Sequence, residues 1–213
     1  MIFEPRDREI LQALTLKVRL FSLQQIAATW WKATDTGRTV ARRRLMKLSQ
    51  AGMLKRLHVL ARPLPEITSP VVTWKPGHDS PDCGAIAWKL QCRWSTEPPR
   101  QTTVFIATRK AANLYGGRLR GTLKRDIQAT HDLGVSEVYL RVLSADPGGA
   151  DLWQGEDLIS PLRRRQKLPD AVLAETPAAR PRLVLEFGGA YNTARVRDFH
   201  HDCAARRLPY EIW

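Results

Sequence analysis

Residues Asp35 to Gly52, DTGRTVARRRLMKLSQAG, read as one complete helix with two unlike faces. Asp35 or Thr36 can cap its start, because a short oxygen-bearing side chain satisfies the first orphan N–H groups, and Gly52 can close it in the left-handed conformation. On a 3.6-residue wheel Ala41, Leu45, Leu48 and Ala51 share one side, while Arg38, Thr39, Arg42, Arg43 and Lys47 spread over the other. One face docks on a core and the other is left for phosphates and base edges. Arg44 is the exception among three consecutive arginines, since it falls in the apolar arc and has to reach out from the core side. A charged helix on its own is more often a solvated surface than a binding element. The sequence on either side of it therefore decides.

Before it, Pro5 to Lys17 starts on a proline with acids in the first turn and carries an apolar stripe of Ile10, Leu11 and Leu14, which reads as a support helix. Ser22 is a serine N-cap preceded by Phe21, and Ser22 to Trp30 is a short second helix with Leu23, Ile26 and Ala27 inward. Trp30 and Trp31 are expected to pack against the third helix rather than to stack on bases. After it, Met53 to Arg62 mixes apolar and basic residues as a strand does, and Thr102 to Ala107 is a β-branched returning strand. Arg109 to Tyr115 is then a short helix ended by Gly116-Gly117. Three helices, the third basic, followed by a strand pair is the order of a winged helix-turn-helix, whose third helix enters the major groove while the wing lies on the backbone. The expected DNA-contacting set is Arg38, Thr39, Arg42, Arg43 and Lys47 on the helix with Lys55 and Arg56 on the wing.

Between the two wing strands lie residues 63 to 101, broken by Pro63, Pro65, Pro70, Pro76, Pro81, Pro98 and Pro99. Val71 to Trp74 reads there as a strand and Gly84 to Trp94 as a helix, and the whole is expected to be an insertion inside the wing. The first domain is thus residues 1–117.

A chain of 213 residues with 43% hydrophobic content has room for two domains. Its formal charge of +13 favours a polyanionic partner, and residues 1–62 hold 13 Lys and Arg against 4 Asp and Glu. That concentration on one module points to duplex DNA, as phosphate contacts supply most of the affinity and a few base contacts the specificity. No stretch approaches the roughly 18 apolar residues of a membrane span, and no apolar signal core opens the chain, so a soluble, cytoplasmic protein is expected. RNA binding lacks its usual aromatic strand or GxxG loop. Cys83, Cys92 and Cys203 have neither disulfide nor zinc spacing and read as buried free thiols. His200-His201, about 100° apart on a helix, are poorly placed to chelate one metal and read as at least partly structural.

Residues 118–213 show a second pattern. Thr122 to Leu133 is expected as a helix and Ser136 to Leu143, SEVYLRVL, as a strand with Val138, Leu140 and Val142 on one face. Asp146 to Gly149 reads as a turn. Leu158 to Gln166, with Arg163, Arg164 and Arg165, reads as a strand or loop lining a cleft. Strands over Leu168 to Ala174 and Arg182 to Phe187 follow, separated by the Pro177 to Pro181 turn. A helix over Thr193 to Arg207, burying Val196, Phe199 and Cys203, precedes a last strand, Leu208 to Trp213. The overall expectation is an α+β chain: a winged helix-turn-helix followed by a restriction-endonuclease-like α/β domain.

Within that second pattern, Leu168-Pro169-Asp170 and Leu183-Val184-Leu185-Glu186-Phe187-Gly188 resemble the PD and (D/E)XK elements of the PD-(D/E)XK superfamily. The resemblance implies that Asp170 and Glu186 hold a divalent metal such as Mg²⁺, which polarises a phosphate and acidifies a water. The family's lysine position is Gly188 here, so catalysis would need a substitute, with Lys167, Arg165 and Tyr191 the nearby candidates. The plain structural alternative is that both acids are strand-end residues paired with local arginines. Both halves together resemble the replication-relaxation family of mobile-element proteins. The matching segments are Asp7 to Leu11, Gln25 to Ala27, Thr39 to Leu48, Ala51 to Leu54, Thr108 to Ala112, His131 to Val135 and Pro169-Asp170. This resemblance implies DNA binding in plasmid replication or transfer, with replication or transfer proteins as partners and no established enzymatic activity. A metal-dependent deoxyribonuclease with a degenerate site is the alternative it leaves.

Overall fold

The computed structural model describes residues 2–94, 97–117, 126–163 and 167–213. It is a mixed α+β chain that divides into two compact units, both discontinuous in sequence. Unit 1 takes residues 1–63 and 97–137, and unit 2 takes 64–96 and 138–213. Among the described residues no helix is long and apolar enough to cross a membrane.

Unit 1 begins with α1 (Pro5–Gln12), whose capping box joins Glu4 and Asp7 and which runs on into a wide turn over Ala13–Lys17. The short strand β1 (Phe21–Ser22) leads into α2 (Leu23–Trp30), where the Ser22 side chain accepts from the Gln25 N–H and Gln25 returns the bond to the Ser22 N–H. Gln25, Ile26 and Ala27 are the buried residues of α2, while Leu23 is only half-buried. α3 (Asp35–Gln50) follows, then β2 (Leu54–Ala61). After the residues that belong to unit 2, β4 (Arg100–Ala107) returns and α5 (Arg109–Tyr115) follows. The sheet has the order β1-β4-β2, all antiparallel, with Arg56 opposite Phe105. Ile10, Leu11, Ile26, Ala41, Leu45, Leu48, Val104 and Phe105 are all buried, which is why the stripes of three helices and one sheet face can close on one another.

Unit 2 is a five-stranded sheet. Its strands are β3 (Val72–Trp74), β5 (Trp153–Gly155), β6 (Ala171–Leu173), β7 (Leu183–Glu186) and β8 (Tyr210–Ile212), in the order β3-β8-β7-β6-β5. Only β7 and β8 pair in parallel, and α9 (Thr193–Ala205) connects them, as a parallel crossover requires. α4 (Cys83–Cys92) and α9 pack together, and Ile86, Leu90, Val172, Val184, Val196, Phe199, Tyr210 and Ile212 share one core. Val184 and Leu185 are both 1% exposed, so β7 is covered on both faces as its unbroken apolar run implies.

Several expectations need correction. Residues 64–96 are not an insertion that belongs to the first unit: Val72 to Trp74 pairs with Tyr210 to Ile212, so the strand and α4 complete the second sheet and its core. The boundary expected at 117 moves into α6 (Asp126–Ala145), whose first half, to Glu137, belongs to unit 1. Ser136 to Leu143 is therefore helix, not strand. Burial of Ala129, Asp132, Leu133, Ser136 and Leu140 follows the helical period. The next strand of the second sheet after α6 is instead Trp153–Gly155, preceded by α7 (Pro147–Asp151) and followed by α8 (Glu156–Ile159) and a tight turn over Ser160–Leu162. The part of the expected helix over 122–125, and Arg164, Arg165 and Gln166, lie outside the described residues. Of the three thiols only Cys203 is buried, Cys83 being half-buried and Cys92 exposed.

Candidate functional site

α3 owes its position to its caps and to one buried ion pair. Its N-cap is Thr34, one residue before the expected pair, and the Thr34 hydroxyl accepts from the Gly37 N–H at 3.1 Å. Gly52 at φ +73° lets the chain leave the helix end and enter β2, a conformation L-residues rarely adopt. Arg44 reaches back to α1: its Nε donates to both Asp7 carboxylate oxygens at 3.0 and 3.1 Å, its Nη2 donates to the Ile2 carbonyl at 2.9 Å, and Glu4 lies 3.5 Å from Nη1. Asp7 is fully buried, and its hydrogen bond holds the Arg44 guanidinium above its usual pKa despite partial desolvation. The one arginine that sequence reasoning set aside is thus a structural pin.

The remaining cations of α3 face outward. Arg38, Thr39, Arg42, Arg43 and Lys47 are all exposed, and Arg38 pairs with Asp35 one turn earlier. Among the described residues Arg42, Arg43 and Lys47 make no ion pair or side-chain hydrogen bond. In β2, Arg56 turns toward α3, its Nη1 lying 3.7 Å from Met46 Sδ. Lys55, its neighbour on the strand, is exposed on the opposite side of β2, so the two do not share a surface. Val40, 44% exposed, lies on the same turn series as Arg43 and Lys47, and sequence reasoning missed it because an isolated valine on a charged helix reads as core. Trp30 packs edge-on against Phe21 and donates to Glu9 at 2.9 Å, while Trp31 lies under the Arg6 guanidinium. Both tryptophans are held by β1 and α1.

In unit 2 the register of β6 and β7 sets Asp170 against Glu186. The Asp170 N–H donates to Glu186 Oε2 at 3.1 Å, the Phe187 N–H donates to Asp170 Oδ2 at 2.7 Å, and the Tyr191 hydroxyl donates to Glu186 Oε1 at 2.5 Å. Glu186 is 3% exposed. Burial and the adjacent Glu186 push the Tyr191 hydroxyl far above its usual range, so it stays protonated as a donor. Arg195 lies over the Tyr191 ring at 5.0 Å, and Lys167 is 5.9 Å from the Phe199 ring with its ammonium lowered by burial and by Arg195. Asp170, Glu186 and Tyr191 therefore converge, and backbone N–H groups and the Tyr191 hydroxyl are among the partners of the two acids, with the Arg195 cation held above its usual pKa chiefly by Tyr191 and also by Glu186 and Asp170. An all-oxygen carboxylate pair is the donor type Mg²⁺ takes. Three of its oxygens already accept bonds from the chain, and among the described residues no group of three or more His, Cys, Asp or Glu side chains is placed for a metal.

No protein-family model, curated protein or solved structure matches this chain.

Position 188, where the sequence has glycine, is closely packed. A Cβ there would lie 2.7 Å from Ile212 Cγ2 and 2.8 and 2.9 Å from the two Leu90 methyl carbons. The position faces packed core, not the carboxylates, so a lysine would have no room. His200, the other residue weighed as a ligand, is buried between Tyr210 Oη at 3.1 Å and Ser80 Oγ at 3.3 Å and stands edge-on to Trp74, while His201 is exposed.

Proposed function

We propose that this chain is a sequence-directed duplex-DNA-binding protein whose unit 1 is a winged helix-turn-helix and whose unit 2 is a non-catalytic, restriction-endonuclease-like module. The order α1, β1, α2, α3, β2, β4 with the sheet β1-β4-β2 supports the first half of the reading, since it leaves α3 as the recognition helix and the β2–β4 pair as the wing. The order β5, β6, β7, α9, β8 with a single parallel pair supports the second. The observation that carries the proposal is the division of labour among three adjacent arginines. Arg44 is locked to Asp7, which fixes the helix, while Arg42 and Arg43 are exposed on its outer face with Lys47 and have no ion-pair partner among the described residues. Cations that contribute nothing to the fold, on a helix anchored by the one that does, suit phosphate contact and guanine readout. The family resemblance supplies the setting, a mobile element's replication or transfer in the cytoplasm, with replication or transfer proteins as further partners.

A second reading, a Mg²⁺-dependent endonuclease, draws on the juxtaposition of Asp170 and Glu186 across two strands. It is the weaker one, because the carboxylates are committed to holding β6 and β7 together and Gly188 has no room for a lysine. The test is selection of bound duplexes from a random library, followed by incubation of the winners with the full chain and Mg²⁺ or Mn²⁺. Enrichment of a defined site without cleavage is expected. Failure to enrich any duplex would overturn the DNA reading, and metal-dependent nicking lost in Asp170→Asn would establish the enzyme instead.

A further inference from the structure

Unit 2 carries a second concentration of positive charge that the DNA reading does not use. A cleft of about 460 Å³ is lined by Leu162, Arg163, Arg180 and Arg206 with the Pro177–Pro181 turn and Leu208, and no acidic side chain is among the described residues of its walls. Each arginine is placed differently. Arg180 is anchored by the end of α9: its Nη2 donates to the Arg207 carbonyl at 3.0 Å and the Arg206 carbonyl at 3.5 Å, where the helix leaves orphan acceptors. Arg206 is tethered through Nη1 to Asp202 at 3.2 Å, one turn earlier. Arg163 ends the turn after α8, is half-buried, and its guanidinium makes no hydrogen bond or ion pair among the described residues.

Three guanidiniums against the single Asp202 leave an excess of about two charges in a partly desolvated cleft. Burial lowers the Arg163 pKa and Arg206 lowers it further, while Asp202 opposes both only in part. A half-buried cation with no hydrogen-bond acceptor among the described residues and a like charge beside it is unfavourable until an anion arrives. A phosphoryl group carries about the missing charge, −1.5 to −2, and offers three acceptor oxygens to planar N–H forks. We propose that this cleft is an oxyanion site that takes a phosphoryl group, from a nucleic-acid backbone or as free phosphate. The inference is independent of α3, since it concerns other residues in the other unit.

The experiment is a ³¹P and thermal-shift titration of the full chain with inorganic phosphate, exchanged for chloride at constant ionic strength. It is run on the wild type, on Arg42→Ala/Arg43→Ala, and on Arg163→Gln, Arg163→Lys and Arg180→Gln. Phosphate should raise the melting temperature of the wild type and of the α3 double variant alike. Arg163→Gln and Arg180→Gln should each weaken phosphate by about ten-fold or more, the loss of one charge-assisted contact, and Arg163→Lys should fall between. Where a variant is less stable, the ³¹P titration at low temperature reads the folded protein directly. Displacement of phosphate by a duplex in the Arg42→Ala/Arg43→Ala background identifies the source as nucleic-acid backbone, and retention identifies free phosphate. No response beyond chloride, or an equal response in wild type, Arg163→Gln and Arg180→Gln, would overturn the site.

Discussion

Removing the Arg44 side chain while leaving Arg43 in place separates the two jobs assigned to adjacent arginines. In Arg44→Met the fully buried Asp7 carboxylate loses the contacts at 3.0 and 3.1 Å together with the Nη2 bond, and keeps the Glu4 N–H at 2.7 Å, its half of the α1 capping box. Breaking one partner of a buried ion pair costs about 3–5 kcal/mol. The surviving bond to Asp7 places the expected loss at the lower end, about 3 kcal/mol. Urea unfolding followed by circular dichroism reads it as a shift in the transition of unit 1. Asp7→Asn/Arg44→Met, which removes the charge as well, should recover more than half of the loss, because the penalty lies in the stranded carboxylate rather than in a missing attraction. Arg43→Ala, at a fully solvated position, should stay within about 0.5 kcal/mol of wild type while weakening DNA binding. Stability unchanged in Arg44→Met, or a double variant no better than the single, would refute the pin.

Leu185, 1% exposed in a strand covered on both faces, should cost about 2–5 kcal/mol on truncation to alanine, and a loss below about 1 kcal/mol would show β7 to be peripheral. Gly188→Ala should destabilise by about 1–3 kcal/mol and Gly188→Lys by more, without conferring nuclease activity, because the added atoms meet Ile212 and Leu90; a stable, cleaving Gly188→Lys would contradict that packing. His200 has its imidazole pKa lowered by burial and then by His201, so its contribution is present above the ordinary value of 6.5 and is lost as pH falls from there through the folded value. Stability measured from pH 8 to 4 should therefore drop below about 6.5 in wild type and less steeply in His200→Gln. Asp170→Asn should leave DNA affinity unchanged and loosen the β6–β7 junction, since its Oδ2 accepts the Phe187 N–H; amide exchange at Phe187 is the direct readout.

Local chemistry was the legible part of the chain. Ser22 with Gln25, the stripe Ala41, Leu45 and Leu48, and Gly52 each announce a cap, a face or a stop within a few residues, and the folded unit uses all of them. The structural isolation of Arg44 was legible for the same reason, as it follows from a wheel. Long-range pairing was not. Val71 to Trp74 is recognisable as a strand, but its partner Tyr210 to Ile212 lies far along the chain, and nothing in either segment names the other. SEVYLRVL misled because β-branched alternation and the preceding Gly134 suit a strand, whereas the tertiary setting continues α6 through the glycine and buries Ser136, whose hydroxyl bonds the Leu20 carbonyl at 2.5 Å. At the carboxylate pair, the opposition of Asp170 and Glu186 was readable from the motif. That their oxygens would be taken by backbone N–H groups and Tyr191, and that position 188 would face Leu90, depends on sheet register and on a helix from residues 83–92.

Fluorescence anisotropy of the full chain on a selected duplex across a salt series tests the proposed binding of duplex DNA by the outer face of α3. Each phosphate contact contributes about 0.9 to the slope of log affinity against log salt. The account predicts tight binding that weakens steeply with salt, and a slope reduced by about 2 in Arg42→Ala/Arg43→Ala at unchanged stability. Equal affinity and equal slope for wild type and the double variant would contradict it.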